Sequence, residues 1–144
     1  LAGYPVTGLR AVLYDGSYHD VDSSEMAFKL AAALAFKEGL KNASPCLLEP
    51  IMKLKIAIPE AYLGDIMGDM NKRRGRILGI EMLEDMQVVN AEAPQAEIQK
   101  YATDLRSMTQ GRGKFMAELV RYEEVPAPEA EKIVKARAAE KEAQ

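Results

Sequence analysis

Residues with nucleophilic or acid–base chemistry are few in this chain. It contains one histidine, His19, and one cysteine, Cys46. A cysteine or serine nucleophile needs a base within hydrogen-bond reach, and His19 and Cys46 fall in different predicted elements that nothing brings together. A structural zinc site needs four Cys or His ligands, which this chain does not have. The sequence therefore predicts neither a catalytic site nor a metal site.

Carboxylates gather between Asp15 and Glu25, where a calcium-binding loop is the alternative to consider. An EF-hand loop needs a bidentate carboxylate at its twelfth position, and that position is Met26 here. Neither the GxxxxGK[ST] phosphate loop nor the GxGxxG fingerprint occurs in the sequence, so there is no familiar nucleotide cradle. We expect no cofactor on this chain.

Three polar clusters remain as candidate binding sites. The loop residues Tyr18, His19 and Asp20 precede a helix, either as a solvated loop or as a tip presented to RNA. The second cluster is either a helix C-terminus with charges favourable to its dipole or a phosphate-contacting patch; it comprises Lys72, Arg73, Arg74 and Arg76. The third lies around two glycines that allow close backbone approach, so RNA contact and a solvated turn both stay open. It comprises Arg106, Ser107, Gln110, Arg112 and Lys114.

Composition limits what these clusters can do. The chain has 144 residues, 48% of them hydrophobic, enough for one ordinary domain or a small domain with a fragment of another. Its net charge is -3, which excludes a globally basic nucleic-acid binder, so any RNA contact must come from a local patch. No apolar run approaches the roughly 20 residues that span a bilayer. We expect a cytoplasmic protein with no membrane partner, and the start at Leu1 favours a piece of something longer.

The elements that position these clusters follow from periodicity. Residues 5–14 predict a strand, and Asp22 with Glu25 predicts a capped helix that begins near Ser23 and ends around residues 39–45. From residue 49 the order is strand, helix, strand, strand, helix, strand, with the segments 52–58, 59–74, 76–82, 86–93, 97–108 and 114–122. This βαββαβ order predicts an α+β, ferredoxin-like sandwich. Gly64 and Gly68 predict close packing of the first of these two helices on the sheet.

Four strings resemble the C-terminal part of bacterial elongation factor G, the ribosomal translocase: YDGSYHDVDSSEMAFKLAAALAFKEG, LLEPIMKLKI, GDIMGDMNKRRGRILGIE and YATDLRSMTQGRGKFMAELVRYEEVP. By that resemblance residues 1–46 correspond to the C-terminal part of domain IV, residues 47–125 to ferredoxin-like domain V, and residues 126–144 to a C-terminal helix and tail. The resemblance implies a GTPase parent whose GTP- and magnesium-binding domain is absent from this chain. It implies no enzyme activity for the chain itself.

The resemblance also implies sites and partners. It places Tyr18, His19 and Asp20 at the tip of domain IV, which enters the decoding centre behind the moving transfer RNA. It places the turn with Arg106, Ser107, Gln110 and Arg112 near the sarcin-ricin loop of large-subunit RNA. The implied partners are ribosomal RNA, transfer RNA and proteins of the GTPase-associated centre, and the implied function is to promote movement of transfer RNA and messenger RNA.

Two alternatives stay open. The segment Pro94–Tyr101 differs from the PLAEMFGY that translocases usually have, and the hairpin at residues 83–85 lacks the usual glycines. An elongation factor G-like paralogue with a non-translocase role is therefore one alternative, and a self-standing RNA-binding ferredoxin-like domain is the other. A single strand and helix cannot bury both faces of a sheet, so we also expect residues 1–46 to self-associate, without physiological meaning, or to be mobile.

Overall fold

The structure, a computed structural model, describes residues 1–143; Gln144, the last residue of the predicted tail, lies outside the described residues. The chain divides into two units, one formed by Leu48–Val125 and the other by residues 1–47 with those from Pro126 onward. The elements are α1 (Glu25–Asn42), β1 (Leu48–Pro59), α2 (Leu63–Lys72), β2 (Arg76–Leu83), β3 (Met86–Pro94), α3 (Tyr101–Met108), β4 (Lys114–Glu124) and α4 (Ala127–Glu142). Short 3-10 turns at Glu60–Tyr62 and Gln95–Ile98 precede α2 and α3. No helix among the described residues is long and apolar enough to cross a membrane.

The unit formed by Leu48–Val125 is built on one four-stranded sheet. Its strand order is β2-β3-β1-β4, and every neighbouring pair is antiparallel. Since α2 links β1 to β2 and α3 links β3 to β4, this is the predicted ferredoxin-like α+β plan, which is confirmed.

The core of this unit lies on one face of the sheet. Strict alternation along β1 buries Leu54, Ile56 and Ile58 completely, because successive side chains point to opposite faces. Helices α2 and α3 pack on this buried face through a cluster that also includes Ile66, Met70, Val89, Ala91, Ala93, Tyr101 and Leu105. The opposite face, which carries Lys53 and Lys55, is not covered by either helix. We call it the open face.

The two glycines of α2 do not pack closely, so that prediction is wrong. A Cβ atom added to Gly64 or Gly68 would meet nothing within 4 Å. The close approach is at Gly75 instead, where a Cβ would lie 2.8 Å from the carbonyl oxygen of Met70. The amide of Gly75 donates to that same oxygen at 2.8 Å, which ends α2 in a Schellman motif.

The strand predicted over residues 5–14 is not formed, because a strand needs a hydrogen-bonded neighbour and none of the described strands pairs with this segment. Helix α1 begins at Glu25, slightly later than predicted. The N-cap is Ser24, whose hydroxyl accepts the amide of Ala27 at 3.1 Å, while the hydroxyl of Ser23 is occupied by the amide of His19. None of the 18 residues of α1 is buried, although the 3/4 spacing of Met26, Leu30, Ala33 and Leu34 predicts an apolar face that packs against a neighbour.

Candidate nucleic-acid interface

The turn between α3 and β4 has a backbone shape that is fixed by glycines. Helix α3 ends in a second Schellman motif, in which the amide of Gly111 donates to the carbonyl oxygen of Arg106 at 2.8 Å. Gln110 and Gly111 both adopt left-handed conformations, with φ of 52° and 81°. Only glycine takes that conformation at no steric cost, so Gly111 is well suited to its position.

The turn is also held from inside by Thr109, which is fully buried. Its hydroxyl donates to the carbonyl of Leu105 at 2.7 Å and accepts the amide of Gly113 at 2.8 Å. A Cβ on Gly113 would lie 2.8 Å from that hydroxyl oxygen and 2.9 Å from Cγ of Leu105. Sequence reasoning predicted a close backbone approach at the two glycines of this turn, but it missed the supporting role of Thr109. The available signal was a small hydroxyl residue at a helix end with a glycine four positions later.

The four side chains of this turn that the sequence predicted as RNA contacts face solvent. Arg106, Ser107, Gln110 and Arg112 are exposed. Within residues 1–143 neither guanidinium forms an ion pair with a carboxylate of this chain. Two cations and two neutral hydrogen-bonding groups therefore stand on a preformed turn, an arrangement suited to phosphate and sugar oxygens.

Arg73, in the second cluster, is engaged inside the domain. Its side chain is only 15% exposed, and Nε donates to Asp69 at 2.7 Å while Nη2 donates to Asp104 at 2.6 Å. Nη1 donates to the carbonyl of Glu97 at 2.7 Å, and the guanidinium lies 5.0 Å from the ring centre of Tyr101. Burial alone would lower the pKa of Arg73, but its hydrogen bonds to the two aspartates raise that pKa overall.

Arg74 is similarly engaged. It takes the left-handed conformation after α2, with φ of 55°, and donates to both carboxylate oxygens of Glu49 at 2.8 and 2.9 Å. Nε also donates to Glu97 at 3.3 Å. The bidentate contact with Glu49 raises the pKa of Arg74. These contacts favour the structural interpretation of Arg73 and Arg74, and of this cluster only Lys72 and Arg76 are exposed.

A third arginine of this cluster joins an ionic network on the sheet. Arg76 donates to Glu92 at 2.9 Å, and Glu92 also accepts two bonds from Arg121, at 3.0 and 2.8 Å. The hydrogen bonds from Arg121, followed by that from Arg76, lower the pKa of Glu92 to about 2. The side chain of Glu92 is 11% exposed, so this carboxylate is a fixed counter-charge and is not available to a ligand.

The second and third clusters lie at opposite ends of the sheet. Lys114, which follows the α3–β4 turn, pairs with Ala57 near the end of β1, whereas Pro94 pairs with Ile51 near its start. The end of α2 is tied to that start of β1 through Glu49. The two clusters therefore do not form one binding site. The arginines of the second cluster are paired with carboxylates, so the α3–β4 turn is the candidate whose arginines remain available to a ligand.

In the other unit, a short turn precedes α1 and carries Tyr18, His19 and Asp20. The carbonyl of His19 accepts the amides of Asp22 and Ser23 at 3.2 and 2.9 Å, and the amide of His19 donates to the hydroxyl of Ser23 at 2.8 Å. All three side chains are exposed, with the ring of Tyr18 stacked 6.4 Å from that of Phe28. The backbone is fixed while the imidazole and carboxylate are left to solvent. Across residues 1–143 no group of three or more His, Cys, Asp and Glu could hold a metal ion.

The fold and the site together describe a ferredoxin-like domain that displays a cationic turn containing two glycines, preceded in the chain by a helix with a polar turn at its start. The family model described as Elongation factor G C-terminus matches residues 46–133, and the one described as Elongation factor G, domain IV matches residues 1–44. The chain belongs to the elongation factor G family.

A solved structure supports the same assignment. The chain is similar to a protein of Thermus thermophilus whose crystal structure is known, with a TM-score of 0.83 and 48% sequence identity. The match covers 96% of this chain and 21% of that one, so the chain spans about a fifth of the length of this relative.

Proposed function

We propose that this chain is the ribosome-binding C-terminal module of an elongation factor G-type GTPase, which promotes movement of transfer RNA and messenger RNA during elongation. Family membership supports the coarse assignment. The observation that carries the RNA-binding part is the pair Arg106 and Arg112, which stand without carboxylate partners in the described chain on a turn shaped by Thr109 and two glycines.

The rigidity of the α3–β4 turn favours binding. A preformed turn loses little conformational entropy when it meets a ligand, so more of its interaction energy appears as affinity. Arg106 and Arg112 would form charge-assisted hydrogen bonds with RNA phosphates. Ser107 and Gln110, which are neutral and exposed, would bond to sugar hydroxyls or base edges of large-subunit RNA.

The turn before α1 would contact a second RNA. Tyr18 offers an aromatic face for stacking, and His19 and Asp20 offer hydrogen-bonding groups, the types that read unpaired RNA. Helix α1, whose 18 residues make a rod of about 27 Å, would support this tip where transfer RNA moves through the decoding centre. GTP hydrolysis would be the work of a domain outside this chain.

The proposal is tested by the salt dependence of ribosome binding. The chain is labelled at exposed Cys46, and its affinity for ribosomes is measured over a range of salt concentrations. Each lost phosphate contact reduces the slope of log affinity against log salt by about 1, so Arg106→Gln with Arg112→Gln should reduce it by about 2. The matched control is Lys135→Gln with Lys141→Gln, two exposed lysines on α4. Equal slopes for the two double variants would contradict the proposal.

The transfer RNA contact needs the full-length factor. His19→Ala there should slow translocation and leave ribosome-stimulated GTP hydrolysis nearly unchanged, since the imidazole is exposed and the chain has no phosphate loop. Equal loss of both activities, or loss of neither, would count against a role for His19 at the tip. GTP hydrolysis without any translocation by the unmodified factor would indicate a paralogue.

A further inference from the structure

Three lysines share the open face of the sheet. Lys53 and Lys55 alternate with the buried Leu54 and Ile56 on β1, so they point away from the helices. Lys114 on β4 pairs directly with Ala57, which lies on the same face as Lys55. Neighbouring lysines in this set, which we call the lysine row, are about 7 Å apart by strand geometry.

The ammonium groups of the lysine row have no direct carboxylate partner within the described chain. None of the three ammonium groups forms an ion pair with a carboxylate among residues 1–143.

Two of the carboxylates on the open face have hydrogen-bond donors other than the lysines. Glu92 is held by two arginines, and Glu81 accepts from the amide of Asn90 at 3.2 Å. Glu92 on β3 and Glu118 on β4 both lie in register with Lys53, and neither forms a salt bridge with it. Three adjacent unpaired cations on a protein whose net charge is -3 indicate an anionic ligand.

The surface beside the row favours a backbone ligand. Lys53 and Lys55 line a groove together with Gly79, Val88 and Asn90, and the pairing register shifts between Ile77 and Gly79. Gly79 has no side chain to fill the space, and a Cβ there would meet nothing within 4 Å. The rest of the described lining is Glu81 with the apolar Leu78, Met82 and Leu83. It contains no aromatic side chain for base stacking, so the two lysines and Asn90 are the groups that can bond to a phosphate or sugar oxygen.

We propose that the lysine row binds the phosphate backbone of RNA and extends the α3–β4 turn over the open face. Lys114 stands two residues after Arg112, so the cations of the turn continue into the row without a break in the chain. A ribosomal RNA strand held at Arg112 would run on across β4 and β1. This inference rests on the proposed function and adds a second contact surface to it.

The test uses a double variant that combines Lys53→Gln and Lys55→Gln, which we call the row variant. It is compared with the Arg106/Arg112 double variant and with the Lys135/Lys141 control. Affinity is measured for whole ribosomes and for protein-free large-subunit RNA between about 50 and 200 mM salt. The row variant should bind both roughly 3- to 10-fold more weakly than the control, with a salt slope smaller by about 2. Lys53→Arg with Lys55→Arg keeps the charges and should bind like the unmodified chain, which separates lost charge from a disturbed strand.

The outcomes distinguish the two proposals. Absence of salt-dependent binding by the unmodified chain would overturn the proposed function and this inference with it. Weaker binding by the turn variant, with the row variant equal to the control, would overturn only the inference. A defect of the row variant on whole ribosomes but not on protein-free RNA would also overturn it, because the partner would then be an acidic protein surface.

Discussion

The hydroxyl of Thr109 accepts the amide of Gly113 at 2.8 Å, across the turn that carries the candidate RNA-binding arginines. Thr109→Val keeps the side-chain shape but leaves this amide without its partner, which costs about 1 to 3 kcal/mol in a buried setting. Thr109→Ser retains the hydroxyl and should lose less. Urea unfolding of both variants checks this. A Thr109→Val variant as stable as the unmodified chain, beside a destabilised Thr109→Ser, would mean that packing of the methyl group matters and the hydrogen bond does not.

Glycine is needed at position 113 but not within α2. Gly113→Ala would push its Cβ against Thr109 and Leu105, atoms 2.8 and 2.9 Å away, and should destabilise the domain by about 1 to 3 kcal/mol. Gly68→Ala meets open space and removes a poor helix former, so it should stabilise by up to about 1 kcal/mol. Thermal unfolding of both variants measures the two signs. A destabilised Gly68→Ala would show that the helix does approach a neighbour there.

Arg73 and Lys72 are adjacent cations with different expected roles. Arg73→Met leaves Asp69 and Asp104 without their shared partner, and we expect a loss of about 2 to 3 kcal/mol because the guanidinium is largely buried. Lys72→Met changes an exposed side chain and should cost less than about 0.5 kcal/mol. Denaturant midpoints give both values. A stable Arg73→Met that binds ribosomes more weakly would support the phosphate-patch interpretation instead.

Glu92 gives the domain a defined acid response. The pKa of this carboxyl is about 2 in the folded protein against an ordinary 4.5. Because the folded value is depressed, the stability it contributes is present above about pH 4.5 and is lost as the pH falls toward 2. The stability difference between the unmodified chain and Glu92→Gln should therefore shrink over that window. Urea midpoints at several pH values test this, with exposed Glu60→Gln as the control, and a constant difference would contradict it.

Local sequence patterns predicted the strands and helices of the unit Leu48–Val125 well. The alternation of residues 52–58 predicted both the central strand and its buried face, because the period of a strand sets which side chains point inward. The same reasoning failed at residues 5–14, where apolar residues occur but no described strand pairs with them. Pairing depends on a neighbour that can be far away in sequence, so a strand-like pattern alone cannot establish it.

The candidate sites were predicted by residue type but not by partner. The cations at 72–76 were evident in the sequence, yet whether they were free depended on Asp104 and Glu49, which the fold brings to them from 31 and 25 residues away. In the α3–β4 turn, by contrast, the supporting contacts are local. Thr109 and Gly113 are four residues apart, so the shape of that turn is encoded within its own sequence.

The position of the α3–β4 turn on ribosomal RNA can be measured directly with a tethered cleavage probe. An iron chelate is attached to Ser107→Cys in a Cys46→Ser background, and hydroxyl radicals are generated on the ribosome. The proposed function predicts strand breaks confined to one region of large-subunit RNA, weakened by salt and absent when the probe is moved to Lys135→Cys on α4. Breaks that are absent, scattered over the RNA, or the same from both positions would contradict an RNA contact at this turn.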